Sequence, residues 1–426
     1  MNLDGLNSEI VFSPSGTDSV IHALFLAQST AERKTMYRIL VASDETGSGV
    51  RDAISGRHFN SVTSEGTQVT KGAPISGLCD AGTVECIPVY DADGRMYEID
   101  EIDARVYRAV GRAIARGESV LLQVMDSSKL GNRSTSLAML ARLNEDFDKQ
   151  VQVVVDACQM RISLPRLRWH LASGHMVLIS GSKFFTGPPF SGALLVPSCV
   201  SDRVKKIDGI PAGLCDYTNQ NAWPQAWGNV YSKLPERHNF GQYFRWVAAS
   251  AEMERYFSIP VEFRERALYE FGKFTVKLIG EHSKTVSLFE QPRFSVECVP
   301  DFEMAHKTIF PFSISDRNKP LSFDEAVVLH RALNTDMRNI VIADYTVESK
   351  RLSSVVCHVG QAVSMRSSNG GTRGLLRICS SARTVCDLWD ASGNGAMPLS
   401  MPRQQEQQKT VFDKLELLTK HFSQLT

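Results

Sequence analysis

The sequence predicts an α/β protein: a three-layer α/β/α large domain with a mainly parallel sheet, then a smaller α+β domain. Three observations carry this. Short apolar runs alternate with stretches of helical period over the first 280 residues. The runs are almost continuously apolar, as in residues 119–125 and 151–155, which is how strands read when crossover helices cover both faces. Polar residues and glycines collect directly after the runs, where open α/β sheets bind ligands.

Taken in order, residues 9–12 form a short strand and Ser-Pro-Ser-Gly-Thr-Asp at 13–18 punctuates it. Residues 19–31 place Val20, Leu24 and Ala27 at helical spacing. Residues 38–42 read as a strand that ends in the polar loop 43–49, and 84–90 as another. Residues 102–116 and 136–144 read as helices, and 119–125, 151–155, 176–179 and 192–196 as strands. From about 248 to 282 the pattern is long and helical. Beyond it, strands are expected at 293–299, 307–312, 340–344 and 375–379, with a helix at 323–333. An amphipathic helix at 407–425 is expected to pack as an edge. The expected division is a large domain over 1–280, a small one over 281–400 and the terminal helix over 401–426.

Composition excludes several classes. Lys+Arg and Asp+Glu number 47 each, so net charge offers no argument for nucleic acid or an anionic membrane as partner. No apolar run reaches the roughly 18 residues of a membrane-spanning helix. The first five residues show neither the basic nor the apolar region of a secretory signal. Nine cysteines, an odd number with no CxxC pair, read as reduced thiols of a cytoplasmic protein and predict no metal site.

Four features bear on chemistry. Ser13-Pro14-Ser15-Gly16-Thr17 joins a strand to a helix; it suits a phosphate held by backbone N–H groups and hydroxyls, or a plain helix cap. Asp156 ends a buried strand, where a carboxylate needs a cation or hydrogen-bond donors, or else caps the next helix. Lys183 lies in Ser180-Gly181-Ser182-Lys183-Phe184-Phe185-Thr186-Gly187-Pro188, after a strand and before a turn. Burial there is expected to lower its ammonium pKa and free the amine for Schiff-base chemistry, with Ser180 and Ser182 available to phosphate oxygens. Arg377, in Leu375-Leu376-Arg377-Ile378-Cys379, suits two-pronged binding of a carboxylate, or faces water from an edge strand.

The order of these features resembles the fold-type I pyridoxal-phosphate (PLP) enzymes, and among them the class V aminotransferase and cysteine-desulfurase group. Gly16-Thr17 matches its phosphate cup, and Asp156 with Gln159 keeps its spacing. Lys183 precedes Thr186-Gly187-Pro188, and Leu376-Arg377-Ile378-Cys379 has Cys where the group has Ser. The resemblance runs from about residue 9 to about 390. It implies PLP as cofactor, held on Lys183 as an internal aldimine, with Lys183 then moving the α-proton. It further implies Asp156 on the pyridine nitrogen, Gln159 on the phenolate oxygen, Ser15, Gly16, Thr17 and Ser180 on the phosphate, and Arg377 on the substrate carboxylate. A homodimer with its active site at the interface is implied as well, one partner residue coming from the Trp-rich stretch 216–241.

Three departures from that pattern stand out. The cup begins at residue 13, where related enzymes have several dozen residues before it. Glu45-Thr46 stands where the group often has Glu-His, and threonine cannot stack on a pyridine ring. No cysteine lies between Gly360 and Gly374, where a desulfurase needs one. An aminotransferase acting on an amino acid or amine is therefore the expectation. The alternatives are a C–S or C–C lyase, or a relative that keeps the fold for binding or regulation.

Overall fold

A computed structural model describes residues 7–33, 35–78, 82–289, 304, 307–339, 346–366, 371–392 and 402–425. The first sheet has seven strands: β1 (Glu9–Ser13), β2 (Met36–Val41), β3 (Val84–Ile87), β4 (Ser119–Met125), β5 (Val151–Asp156), β6 (Met176–Ser180) and β7 (Gly192–Val196). Their order across the sheet is β1-β7-β6-β5-β4-β2-β3. Strands β2 to β6 pair in parallel, whereas β7 runs antiparallel to both β6 and β1. It follows that β1 points the same way as β2 to β6, and six strands end along one edge.

Alternate residues of each strand feed two separate cores. Ile39, Leu122, Val153, Val155, Val177 and Ile179 face one. Leu40, Leu121, Val154, Leu178 and Leu194 face the other, against the helix Gly16–Thr30 and the tryptophans Trp223 and Trp227. Both faces are covered, which is why the strand sequences lack polar alternation.

The second sheet comprises β8 (Val286–Leu288), β9 (Ile309–Asp316), β10 (Lys319–Pro320), β11 (Gly360–Arg366) and β12 (Thr372–Cys379), paired antiparallel. The helix Phe323–Leu333 lies so close to β12 that a Cβ on Gly374 would meet that of Ala326 at 2.2 Å. The strand expected at 293–299 falls outside the described residues, as does the one at 340–344. The long helical stretch is two helices, Phe240–Phe257 and Val261–Glu281. Pro260, at the cap of the second, has no N–H to continue the first and forces its predecessor out of helical conformation.

The terminal helix, Pro402–Lys420, begins five residues earlier than its amphipathic pattern indicates and buries Phe412, Leu415 and Leu418. Its Lys414 is fully buried and donates to the carbonyls of Leu333, Thr335 and Val355 at 2.6–3.1 Å, closing the ends of two helices. Among the described residues no helix is long and apolar enough to cross a membrane, and no cluster of metal-ligating side chains occurs.

Candidate active site

The candidate site lies along the edge where the parallel strands end. Asp156 is the last residue of β5, paired with Met125 of β4 on one side and Leu178 of β6 on the other. Asp156 is half-buried as a residue, and its Oδ1 accepts the Cys158 N–H at 3.1 Å. Burial raises the Asp156 pKa; the Cys158 N–H, the Cys158 thiol, Lys183 and Lys129 each pull it back. Two lysines therefore bear on this carboxylate.

The cup packs directly on this strand end. Ser15 caps the helix Gly16–Thr30, its Oγ accepting the Asp18 N–H. A Cβ on Gly16 would stand 2.5 Å from the Cys158 Sγ, so glycine is needed for the first helical turn to rest on the 156–158 turn. The Asp18 N–H is capped and the Ser19 N–H bonds to the Ser15 carbonyl, which leaves those of Gly16 and Thr17 as the orphan donors of the helix start. The Ser15 hydroxyl, however, is turned onto the Asp18 carboxylate at 2.5 Å. Burial lifts Asp18 to about 6.

The segment after β6 is a tight loop. Gly187 N–H bonds back to the Gly181 carbonyl at 2.9 Å, and Thr186 N–H to that of Lys183 at 3.0 Å. Both glycines press on Ala249, with no room for a Cβ. Thr186 takes φ = +56°, a left-handed conformation that is costly for a β-branched residue. The Ser180 and Ser182 hydroxyls share a 2.9 Å hydrogen bond.

Lys183 itself is exposed, which corrects the expectation that burial frees its amine, and its charge acts on both Asp156 and Lys129. The lysine whose pKa burial lowers is Lys129, with Arg377 and Lys183 adding to the effect. Lys129 follows β4 as Lys183 follows β6, after the small residues Ser127 and Ser128. That signal was present in the sequence. Its Nζ donates to the Thr46 carbonyl at 2.8 Å.

Arg377 lies in β12, opposite Pro311 and Gly360, and is half-buried. It reaches across to the first sheet, donating Nη1–H to the Lys129 carbonyl at 2.8 Å and Nη2–H to that of Gln361 at 3.2 Å. Its Nε is buried without an acceptor. Among the described residues the guanidinium pairs with no carboxylate; two neutral carbonyls hold it. Gln159 is half-buried, and its own carbonyl accepts from Arg161, which also donates to the Ser380 carbonyl at 2.9 Å. Arg161 thereby fixes the loop after β5 to the end of β12.

A buried triad completes the edge. Glu45 accepts from Asn132, which also bonds the Tyr90 hydroxyl at 2.6 Å. Burial raises Glu45 to about 7, against the pull of Tyr90 and Asn132. Beside it the Thr46 hydroxyl is buried without a partner. In the stretch 216–241, Trp223 and Trp227 are core residues bonded to Thr218 and Ser201.

No family model and no curated protein matches the chain. Solved structures do. Mouse CSAD shares 15% identity over 98% of this chain and 73% of its own, with a TM-score of 0.50. A transaminase from the marine bacterium Virgibacillus is 9% identical over 99% and 77%, at 0.49. Oryza sativa TDC, solved with PLP and tryptamine, is 12% identical over 91% and 68%, at 0.46. At such identities the likeness to mouse CSAD is one of fold: the chain has the mixed, mainly parallel α/β architecture found there, and the class V grouping is not singled out.

Proposed function

We propose that this chain is a PLP-dependent enzyme acting on an amino acid or amine, with transamination as its reaction. The observation that carries the reading is the convergence of Asp156, the Gly16–Thr17 helix start, Ser180 and Lys183 on one strand edge. The donor set fits the cofactor. Asp156 is a strand-end carboxylate whose one described backbone donor is the Cys158 N–H, which suits a protonated ring nitrogen, and two orphan N–H groups and the Ser180 hydroxyl suit a phosphate. Bound there, the cofactor would supply an electron sink for charge developing on the substrate.

In this reading Lys183 holds the cofactor covalently and afterwards moves the substrate proton. Asp156 keeps the ring nitrogen protonated, and Gln159 bonds the phenolate oxygen. Ser15, Gly16, Thr17 and Ser180 hold the phosphate; the Ser15 hydroxyl must first leave Asp18. Arg377 takes the substrate carboxylate with its guanidinium. The exposed aromatic side chains Phe240, Tyr243 and Phe244 support a homodimer through the helix Phe240–Phe257.

The test is reconstitution with PLP, borohydride reduction and peptide mapping. A visible absorbance band and a label on Lys183 are expected. A label on Lys129 would move the covalent role there, and no band would remove the cofactor. A panel of amino donors with a keto acid then separates transamination from lyase chemistry.

A further inference from the structure

Resting on that reading, we propose that Lys129 is a specificity-determining residue that binds a second acidic group of the substrate, so that the site selects amino acids with an acid on the side chain. An ammonium has three donors, and Lys129 spends one, on the Thr46 carbonyl. Among the described residues no carboxylate lies within ion-pair distance of it, although it is half-buried. Glu45 and Asp156 act on it only at a distance, so two of its three donors are left for an anion from outside the chain.

The neighbouring acids are already committed. Glu45 is held by Asn132 and Tyr90, and Asp156 by the Cys158 N–H and, in the reading above, by the cofactor ring. The charges that press on Lys129 most are the cations Arg377 and Lys183. With Lys183 engaged by the cofactor, Arg377 and Lys129 would be the cations left to meet the substrate.

The two cations are also mechanically joined. The Lys129 carbonyl anchors the Arg377 guanidinium, and the same residue's side chain carries the second charge. One residue therefore ties the two cations to each other, and two neighbouring cations suit a molecule with two acid groups. A single α-carboxylate on Arg377 would leave Lys129 without an anion.

The measurement is a titration of the PLP-loaded protein with L-alanine, L-aspartate, L-glutamate and L-cysteate, read by the change in cofactor absorbance, beside the cofactor affinity from equilibrium dialysis. The wild type is expected to half-saturate at about tenfold lower concentration with at least one diacid than with L-alanine. Lys129→Met should reduce that ratio to within about threefold and Lys129→Arg should retain most of it, both with cofactor affinity within about threefold of wild type. Equal binding of alanine and all three diacids by the wild type would overturn the proposal and leave the cofactor reading standing. A loss of cofactor in Lys129→Met would overturn it too, making Lys129 a cofactor ligand. A wild type that retains no PLP refutes the underlying reading instead.

Discussion

Arg377 donates its Nη1–H to the carbonyl oxygen of Lys129 at 2.8 Å, joining β12 of the second sheet to the loop after β4 of the first. The bond fixes a guanidinium at the cleft without neutralising it, because a carbonyl is only a dipole. Arg161 makes a parallel tie from the loop after β5 to the Ser380 carbonyl. Between the two ties stands Asp156. The second sheet is therefore a wall of the candidate site, and changes on either side of the boundary should be felt in binding.

Asp156→Asn should leave cofactor affinity largely intact and lower turnover about a hundredfold or more. The amide can still accept the Cys158 N–H, so the turn after β5 survives, but a neutral group cannot hold a ring nitrogen protonated. Steady-state rates of the loaded protein check this. Turnover within about threefold of wild type would put less than ~1 kcal/mol of barrier at stake and remove the assigned role.

The strands were legible in the sequence because each is buried on both faces and carries its own apolar run, so local pattern and tertiary position agree. The strand-end residues Asp156 and Ser180 followed from the same reasoning. Lys129 did not, although its post-strand setting matches that of Lys183, because what distinguishes it comes from Thr46 and from Arg377, 248 residues away. Burial of one lysine rather than the other is a property of the assembled cleft. The Ser15 hydroxyl is a similar case: a cap and a phosphate ligand share one sequence signal, and only the position of Asp18 shows which bond is made.

Glu45 predicts a pH dependence of stability. Its folded-state pKa is raised from 4.5 to about 7, so the folded protein holds that proton more tightly than the unfolded chain. The contribution is fully present below about 4.5 and is lost as pH rises through about 7. A shift of that size corresponds to about 3 kcal/mol. Glu45→Gln cannot ionise, so its stability relative to wild type should improve steadily from pH 4.5 to 7 and then level off. Denaturant midpoints measured across that range check it; a constant difference would show that Glu45 ionises as freely as in the unfolded chain.

Arg377 and Gly360 give a paired prediction. A Cβ at position 360 would lie 3.1 Å from the Arg377 Nε, 3.2 Å from its Cβ and 3.3 Å from its carbonyl oxygen, so glycine is what lets the guanidinium lie where it does. Arg377→Lys keeps the charge and loses the two-pronged geometry, so substrates with an α-carboxylate should weaken by about 1–3 kcal/mol while simple amines change little. Gly360→Ala should act in the same direction by a different route. The methyl group would sit tighter than ordinary packing against Arg377, backbone included, so melting temperature should fall slightly. Binding of carboxylate-bearing amines should fall more, as the guanidinium is pushed from its place. Equal losses for amines with and without a carboxylate, in either variant, would make Arg377 a structural tie between the sheets, held by the carbonyls of Lys129 and Gln361 alone.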